Sequence, residues 1–168
     1  MLEQMRQLIS SAALLPPGSH VLCAVSGGAD SVCLLHALYH LRPSLNFSLS
    51  AAHYDHGLRG EDSTQDARFV EQFVSLCCGE QRLPDGRVLP PVKLYQEKGD
   101  VGKEAARTGA GIEETARILR YAFLRRAAQQ AGANLIATAH TADDNADGQI
   151  QHIAPQGKFL EFLHKLFH

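Results

Sequence analysis

Apolar residues change spacing along the chain, and these changes predict an alternation of helices and strands. Residues 2–9 carry apolar side chains at helical intervals until the prolines and glycine at 16–18 interrupt the pattern. The unbroken apolar run at 20–25 is typical of a strand buried on both faces of a parallel sheet. Helical spacing returns at 29–41, and Pro43 is expected to end that helix. The start of the chain therefore predicts a strand joined to a helix by a glycine turn.

A second strand and helix are predicted further along. Apolar and polar residues alternate at 45–52, which indicates a strand that leads into a loop at 53–57. Asp62 or Ser63 is expected to cap a helix that ends near Cys78. The apolar side chains expected on the buried side of this helix are Phe69, Val70, Phe73, Val74 and Leu76.

The remaining elements continue the same alternation. Residues 79–91 are rich in glycine, proline and charge, which predicts an exposed loop before a short strand at 92–95. The longest predicted helix begins at residue 111 or 112 and ends at Ala131, with Gly132 in the expected stop position. A further buried strand is predicted at 134–138.

Strands that alternate with helices imply parallel pairing with right-handed crossovers. We therefore predict an α/β fold with an open, mainly parallel twisted sheet and helices on both faces. Residues 1–17 are predicted to form an N-terminal helix and connector, residues 18–147 the main domain, and residues 148–168 an atypical C-terminal tail. Within that tail, 159–167 suggests a short amphipathic helix.

Composition narrows the class of protein. A chain of 168 residues with 45% hydrophobic content suffices for one domain with a core. The net charge of −2 gives no overall attraction to a polyanion, so any nucleic-acid contact must come from a local basic patch or a separate module. The four cysteines form no Cys-x-x-Cys pair, which favours reduced thiols in a cytoplasmic protein. No signal peptide or apolar run of the ~18 residues that span a bilayer is evident.

The candidate chemistry lies where predicted strands end, because ligands of open parallel sheets bind beyond the carboxyl ends of the strands. At 26–31 the sequence reads Ser-Gly-Gly-Ala-Asp-Ser. Gly27 and Gly28 would let backbone amides approach a phosphate, at the positive end of the following helix. Ser26 and Ser31 add hydroxyl groups, and the Asp30 carboxylate beside phosphates would require a cation, for which Mg²⁺ is the natural candidate.

Several alternatives stay open at this point. The glycine segment is also compatible with a plain strand-to-helix turn in which Asp30 complements the helix dipole. The Walker pattern Gly-x4-Gly-Lys-Ser/Thr is absent. His53, Asp55 and His56, together with the distant His140, form a weak zinc pattern, and we favour histidines that line a nucleotide pocket. Phosphate contacts or a solvated basic face are the two alternatives for Arg59, Arg117 and Arg120.

The Ser-Gly-Gly-x-Asp-Ser segment after a buried strand resembles the signature of the PP-loop (N-type) ATP pyrophosphatase family. Three further segments are similar to the tRNA(Ile)-lysidine synthases within that family, in the same order, and the match covers roughly residues 18 to 146. These segments are His-Tyr-Asp-His-Gly-Leu-Arg at 53–59, Gly-Ile-Glu-Glu-Thr-Ala-Arg-Ile-Leu-Arg-Tyr-Ala-Phe-Leu at 111–124, and Ile-Ala-Thr-Ala-His-Thr-Ala-Asp-Asp-Asn-Ala at 136–146.

The resemblance implies an adenine nucleotide alpha hydrolase-like PP-loop fold that uses ATP and Mg²⁺. It implies that the wobble cytidine of an isoleucine tRNA is adenylated and that lysine then displaces AMP. The residues it assigns to ATP are Ser26, Gly27, Gly28, Ala29, Asp30, Ser31 and His53. The residues it assigns to catalysis are Asp30, with Mg²⁺, and Asp143 and Asp144, which would hold the metal or receive the lysine ammonium. Arg59, Arg117 and Arg120 would contact tRNA or phosphate. The oligomeric state is left open, a homodimer being one alternative.

The match breaks after Ala146. Family members continue with Gln-Ala-Glu-Thr and a leucine-rich helix, whereas this chain continues with Asp147 and Gly148. We therefore expect an incomplete catalytic domain from a truncated or frame-shifted synthase that binds ATP and modifies tRNA poorly. Two other interpretations remain: a PP-loop tRNA 2-thiolase, although Cys77 and Cys78 are adjacent rather than spaced by two, and a non-catalytic nucleotide-binding fragment.

Overall fold

A computed structural model describes residues 1–11, 13–139 and, for the backbone alone, 158–161. The helices are α1 (Leu2–Ser11), α2 (Ala29–Leu45), α3 (Glu61–Cys77), α4 (Val101–Thr108) and α5 (Ile112–Ala131). The strands are β1 (His20–Ala24), β2 (Ser48–Asp55), β3 (Gln81–Arg82), β4 (Val88–Leu89), β5 (Lys93–Lys98), β6 (Leu135–Thr138) and β7 (Lys158–Glu161). None of these helices is both long and apolar enough to cross a bilayer.

The main sheet has the strand order β5-β2-β1-β6-β7, and all of its neighbouring strands run parallel. Strand β1 lies inside this sheet, where Val21 pairs with Leu49 on β2 and with Leu135 on β6. A strand with neighbours at both edges and helices on both faces is buried in its centre, as the three middle residues of β1 are, which explains its unbroken apolar run. The predicted α/β fold with an open parallel sheet is confirmed.

Each face of the sheet has its own hydrophobic core. Val21 and Cys23 of β1 point into a core formed with α1, α2 and α3, whereas Leu22 points into a second core formed with α4 and α5. Leu22 and Leu34 are fully buried. Burial of each such leucine contributes roughly 1.5–3 kcal/mol to folding. The two cores together fix the strand ends that carry the candidate site.

Helix α2 is longer than the sequence predicted. Pro43 lies inside its last turn, and the helix ends at Leu45, with Asn46 as its cap at a positive φ of 52°. Proline lacks an N–H group and so removes one backbone hydrogen bond of the helix. Near the end of a helix this loss is small, and the helix continues for two residues past Pro43. Strand β2 has the predicted length but is shifted along the chain: it begins at Ser48 rather than at residue 45, and it includes His53, Tyr54 and Asp55, which were predicted to form a loop.

Helix α3 begins at Glu61, with Gly60 before it, so Asp62 and Ser63 lie in its first turn rather than at its cap. The predicted buried side of this helix is partly wrong. Val70 and Val74 are buried, whereas Phe69 is 46% exposed and Leu76 is 82% exposed. Phe73 is partly buried and packs against the same core as Val70 and Val74, whereas the side chains at 69 and 76 are left at the surface.

Three segments differ more strongly from the sequence prediction. The segment 79–91, predicted as a loop, contains a small antiparallel pair of strands, β3 and β4. Helix α4 was not predicted, because its eight residues bury only Val101 and Ala105. The amphipathic helix predicted at 159–167 is contradicted over 158–161, where the backbone forms β7 parallel to β6. A strand placed there satisfies backbone groups at the edge of β6.

Candidate functional site

A cavity of about 570 Å³ opens at the carboxyl ends of β1, β2 and β6. Its walls come from the glycine loop after β1, the segment from His53 to Arg59, the start of α3, one face of α5 and the end of β6. Two strands that leave a parallel sheet toward opposite sides open a crevice between their loops, and ligands of such sheets bind there. The cavity therefore lies where the sequence placed the candidate chemistry.

The two serines of the glycine loop hold the loop in shape. The Ser31 hydroxyl donates to the Gly28 carbonyl oxygen at 2.9 Å and accepts from the Ser26 backbone N–H at 3.1 Å. The Ser26 Oγ accepts from the Gly28 N–H at 3.3 Å and lies 3.1 Å from the Ser31 Oγ. Because the Ser31 proton is already directed at Gly28, the Ser26 hydroxyl is the donor between the two serines. The hydroxyl groups thus shape the loop from within.

The backbone of the same loop is arranged to receive an anion. Gly27 has a φ of +97°, a value that L side chains rarely adopt. Gly28 is the residue before α2, and no side chain caps the helix there. The first N–H groups of an α-helix have no partner within the helix. The amides at the start of α2 therefore face the loop with the positive end of the helix dipole behind them.

The structure brings most, but not all, of the predicted site residues to the cavity. The predicted residues that line it are Ser26, Gly27, Gly28, Ser31, His53, Arg59 and Arg120. Ala29, Asp30 and Arg117 do not line it, and Asp30 is exposed in the first turn of α2. Asp143 and Asp144 lie outside the described residues. The roles assigned to all of these residues stay predictions.

His53 presents a defined tautomer at the cavity. Its side chain is 97% buried, with 3% exposed, and Nδ1 lies 2.7 Å from the Val25 carbonyl oxygen. A carbonyl oxygen only accepts, so Nδ1 carries the proton and Nε2 has a free lone pair. Nε2 is buried without a partner in the described part of the chain. A buried acceptor of this kind is suited to a donor group on a bound ligand.

The zinc alternative gains no support from the geometry. Asp55 accepts the Gly57 N–H on Oδ1 at 2.8 Å, which places this carboxylate in a turn. Over the described ranges, no three His, Cys, Asp or Glu side chains converge on one point. His140, which would complete the pattern, lies outside those ranges.

Two of the arginines of α5, Arg117 and Arg120, share an aromatic neighbour. The Arg120 guanidinium lies 5.3 Å from the centroid of the Tyr121 ring, and the Arg117 guanidinium lies 5.9 Å from it. Both distances fall within the range of cation–π attraction. Arg120 reaches the cavity, together with Arg59 from the loop after β2, so two positive charges face the space beside the glycine loop.

His56 lies at the same end of the sheet, and its surroundings shift the pKa of its imidazole. Burial lowers the pKa of its imidazole below the ordinary value of 6.5, and Arg120, His53 and Arg59 lower it further against the opposing effect of Asp55. Burial also lowers the pKa values of His20 and His40. The folded protein therefore holds these rings neutral at a pH where they are partly protonated in the unfolded chain.

We expect the free energy of unfolding to decrease as pH falls from 7.5 to 5.5. The unfolded chain takes up protons near pH 6.5 while the folded protein takes them up only at lower pH, so acid favours the unfolded state. Because the rings are partly exposed, the slope per ring should stay well below the one-proton limit of about 1.4 kcal/mol per pH unit. Urea unfolding at three pH values measures it, and His56→Gln should flatten the slope. An unchanged slope in that variant would contradict the assignment to His56.

Helix α3 contributes two polar side chains to the cavity that the sequence motifs did not indicate. Ser63 and Asp66 line the cavity, and the Asp66 side chain lies against Gly27. These two polar residues are three positions apart, so they occupy one face of the helix, ahead of the apolar stripe at 70 and 74. This polar face at the start of an otherwise apolar stripe is the sequence feature that could have indicated that α3 lines the cavity.

The fold and the site together define an α/β protein with a strand, glycine turn and helix arranged to bind a phosphate-bearing ligand. The chain belongs to the PP-loop domain family, whose model matches residues 1–161. This match extends over both cores and over every element that lines the cavity.

Curated relatives add a more specific similarity. The chain is 38% identical to the tRNA(Ile)-lysidine synthase of Dehalococcoides mccartyi, over 90% of this chain and 29% of that protein. It is 42% identical to the tRNA(Ile)-lysidine synthase of Pseudothermotoga lettingae, over 81% of this chain and 27% of that protein. The matched part of the chain thus corresponds to less than a third of these relatives.

A solved structure shares the fold. The U34-tRNA thiolase NcsA from Methanococcus maripaludis, solved with its [4Fe-4S] cluster, matches with a TM-score of 0.66 over 97% of this chain and 58% of that chain. The sequence identity is 14%, so this likeness concerns the architecture alone.

Proposed function

We propose that this chain supplies the ATP-binding part of a tRNA(Ile)-lysidine synthase, a cytoplasmic ligase that acts on tRNA. The observation that carries the proposal is the glycine loop. It joins a buried strand to an uncapped helix N-terminus and opens into the cavity. The family match and the 38% identity to a lysidine synthase support the same conclusion.

In this proposal the chain's own groups bind and orient the triphosphate. The Gly27 amide and the amides of the first turn of α2 would donate to phosphate oxygens, while the Gly28 N–H donates to the Ser26 Oγ and holds the loop in shape. The guanidinium groups of Arg59 and Arg120 would neutralise charge that develops on the α-phosphate and on departing pyrophosphate. The free lone pair of His53 Nε2 would accept from an N–H or O–H of the nucleoside.

A divalent cation fits the donor set of this cavity, because hard oxygen ligands and phosphates together suit Mg²⁺. Mg²⁺, when bound, would supply positive charge beside the phosphate oxygens and a carboxylate. The sequence proposes Asp30 for this carboxylate, and Asp30 lies in the first turn of α2, outside the lining of the cavity. In the proposed reaction, cytidine O2 attacks the α-phosphorus and pyrophosphate leaves, after which the lysine ε-amine displaces AMP. Asp143 and Asp144 are proposed to receive the lysine ammonium.

The proposal is tested by nucleotide binding and by tRNA modification. We expect the purified chain to bind ATP in the presence of Mg²⁺ by isothermal titration and to form little or no lysidine on isoleucine tRNA. In a complete synthase that carries this domain, Asp30→Ala should abolish ATP–pyrophosphate exchange. A chain that folds but binds no ATP would overturn the proposal. Robust lysidine formation by the chain alone would contradict the expected loss of activity.

The thiolase alternative gains no specific support from the site. Cys78 is buried, whereas the adjacent Cys77 is exposed, so the two thiols face different environments. Burial raises the pKa of the Cys78 thiol to about 11, which leaves it protonated and weakly nucleophilic at neutral pH. Lysine-dependent rather than sulfide-dependent release of AMP would separate the two enzymes.

A further inference from the structure

A carboxylate outside the four sequence motifs lies next to the glycine loop. Asp66 lies on α3 and lines the cavity. A Cβ atom placed on Gly27 would lie 3.3 Å from the Asp66 Cβ and 3.6 Å from its Oδ1. Helix α3 therefore presents this carboxylate to the turn whose amides are proposed to hold phosphate.

Asp66 has no cationic partner in the part of the chain that the structure describes. The ion pairs and side-chain hydrogen bonds of that part do not include it. Arg59 and Arg120 line the same cavity without an ion pair to it. A triphosphate in the glycine loop would thus meet a carboxylate that no ion pair neutralises, and the like charges of the carboxylate and the phosphates repel each other in a partly enclosed site.

The position of Asp66 contrasts with that of Asp30. Asp30 is exposed in the first turn of α2 and does not line the cavity, although it follows the glycines directly in sequence. Asp66 is distant in sequence, yet it faces the glycines across the cavity wall. The need for a cation, which the sequence assigned to Asp30, therefore applies with greater force to Asp66.

We propose that Asp66 positions the Mg²⁺ ion that accompanies the nucleotide, as a carboxylate ligand directly or through a coordinated water. Mg²⁺ commonly keeps several waters and takes only one or two carboxylates together with phosphate oxygens, so a single aspartate beside the phosphates suffices. This inference rests on the proposed binding of ATP. Asp66 is then a positioning residue for the cation. Its carboxylate should raise the affinity for ATP when Mg²⁺ is present and lower it when Mg²⁺ is absent.

The test measures ATP affinity by isothermal titration, with Mg²⁺ and with EDTA, in the full chain. The wild-type chain should bind ATP more tightly with Mg²⁺. Asp66→Asn keeps the shape of the side chain and removes its charge, so in EDTA it should bind ATP as tightly as the wild type or more tightly. With Mg²⁺ it should lose at least about tenfold in affinity relative to the wild type.

The matched control is Asp62→Asn, one turn earlier on the same helix. Asp62 is exposed and does not line the cavity, so this variant should keep the wild-type gain from Mg²⁺. Circular dichroism of each variant checks that α3 remains folded.

Three outcomes would overturn the inference. In the first, Asp66→Asn keeps the full gain in ATP affinity from Mg²⁺. In the second, Asp30→Asn loses that gain and Asp66→Asn keeps it. In the third, free lysine added in place of Mg²⁺ raises the ATP affinity of the wild type but not of Asp66→Asn. The first two would place the cation elsewhere, and the third would make Asp66 a site for the substrate amine. If the wild-type chain binds no ATP even with Mg²⁺, the proposed function fails and this inference fails with it.

Discussion

Gly27→Ala is expected to weaken binding of Mg²⁺-bound ATP by at least about tenfold, or ~1.4 kcal/mol. At a φ of +97° an alanine is strained, and its Cβ would lie 3.3 Å from the Asp66 Cβ. Such backbone strain costs on the order of 1–3 kcal/mol, and the loop can relieve it by turning its amides away from the phosphates. Isothermal titration of the folded variant with ATP and Mg²⁺ measures the loss.

Gly28→Ala provides the matched control for this substitution. Gly28 has a φ of −72° and a ψ of 157°, which any residue adopts. A Cβ there would make only ordinary contact, at 3.5 Å, with the Ser26 Oγ. The loop should therefore keep its shape in Gly28→Ala, and the loss of affinity should be smaller than in Gly27→Ala. Equal affinities for Gly27→Ala and the wild type would show that the turn does not hold the phosphates.

Gly57→Ala should lower the free energy of unfolding by about 2–4 kcal/mol, through strain and overpacking together. Gly57 has a φ of +69°, and a Cβ there would lie 2.6 Å from the Gly99 carbonyl oxygen. That carbonyl cannot easily move, because the Gly99 N–H donates to the Asp55 carbonyl oxygen at 2.8 Å. Urea denaturation of the wild type and the variant measures the difference.

Gly109→Ala separates strain from collision in this experiment. Gly109 has a similar φ of +73°, and a Cβ there would meet no atom within 4 Å. Its cost should be limited to the left-handed backbone, roughly 1–2 kcal/mol. If both variants lose the same stability, the close approach of Gly57 and Gly99 contributes nothing, and the junction between β2 and α4 is looser than the structure indicates.

Much of the fold follows from short-range patterns in the sequence. The run at 20–25 is apolar without alternation because β1 is covered on both faces, and a run of this length followed by glycines is typical of an internal parallel strand. The end of α5 was predicted from Gly132, which has the left-handed conformation that glycine adopts at helix ends. These signals are local, so a sequence reports them directly.

The missed elements depend on contacts between distant segments. Helix α4 has Asp100 as its cap, with the side chain accepting from the Lys103 N–H, but its short buried stripe gives no clear period. The β3–β4 pair is held by Arg42, which is 2% exposed and donates to the Gln81 Oε1 at 2.7 Å. The residues of 79–91 contain no pattern that indicates the contact with Arg42 on α2. The sequence therefore predicted a loop for this segment.

The residues of the candidate site also fall into those that short motifs predict and those that only tertiary packing brings to the cavity. The glycine loop, His53 and Arg120 could be predicted because short motifs carry them, and all of them reach the cavity. Asp66 could not, because only the packing of α3 on the sheet brings it to Gly27. Asp30 shows the converse, since closeness in sequence to the glycines did not place it on the cavity wall.

The serine pairing inside the glycine loop has a consequence for the speed of binding. Ser26 and Ser31 hold the turn before any ligand arrives, since their hydroxyl groups are already engaged with the loop itself. The loop is therefore already ordered when a nucleotide arrives, and the conformational entropy of ordering it was lost during folding rather than on binding. Capture should consequently proceed in a single kinetic phase whose rate rises linearly with ligand concentration, without the plateau of a slow rearrangement.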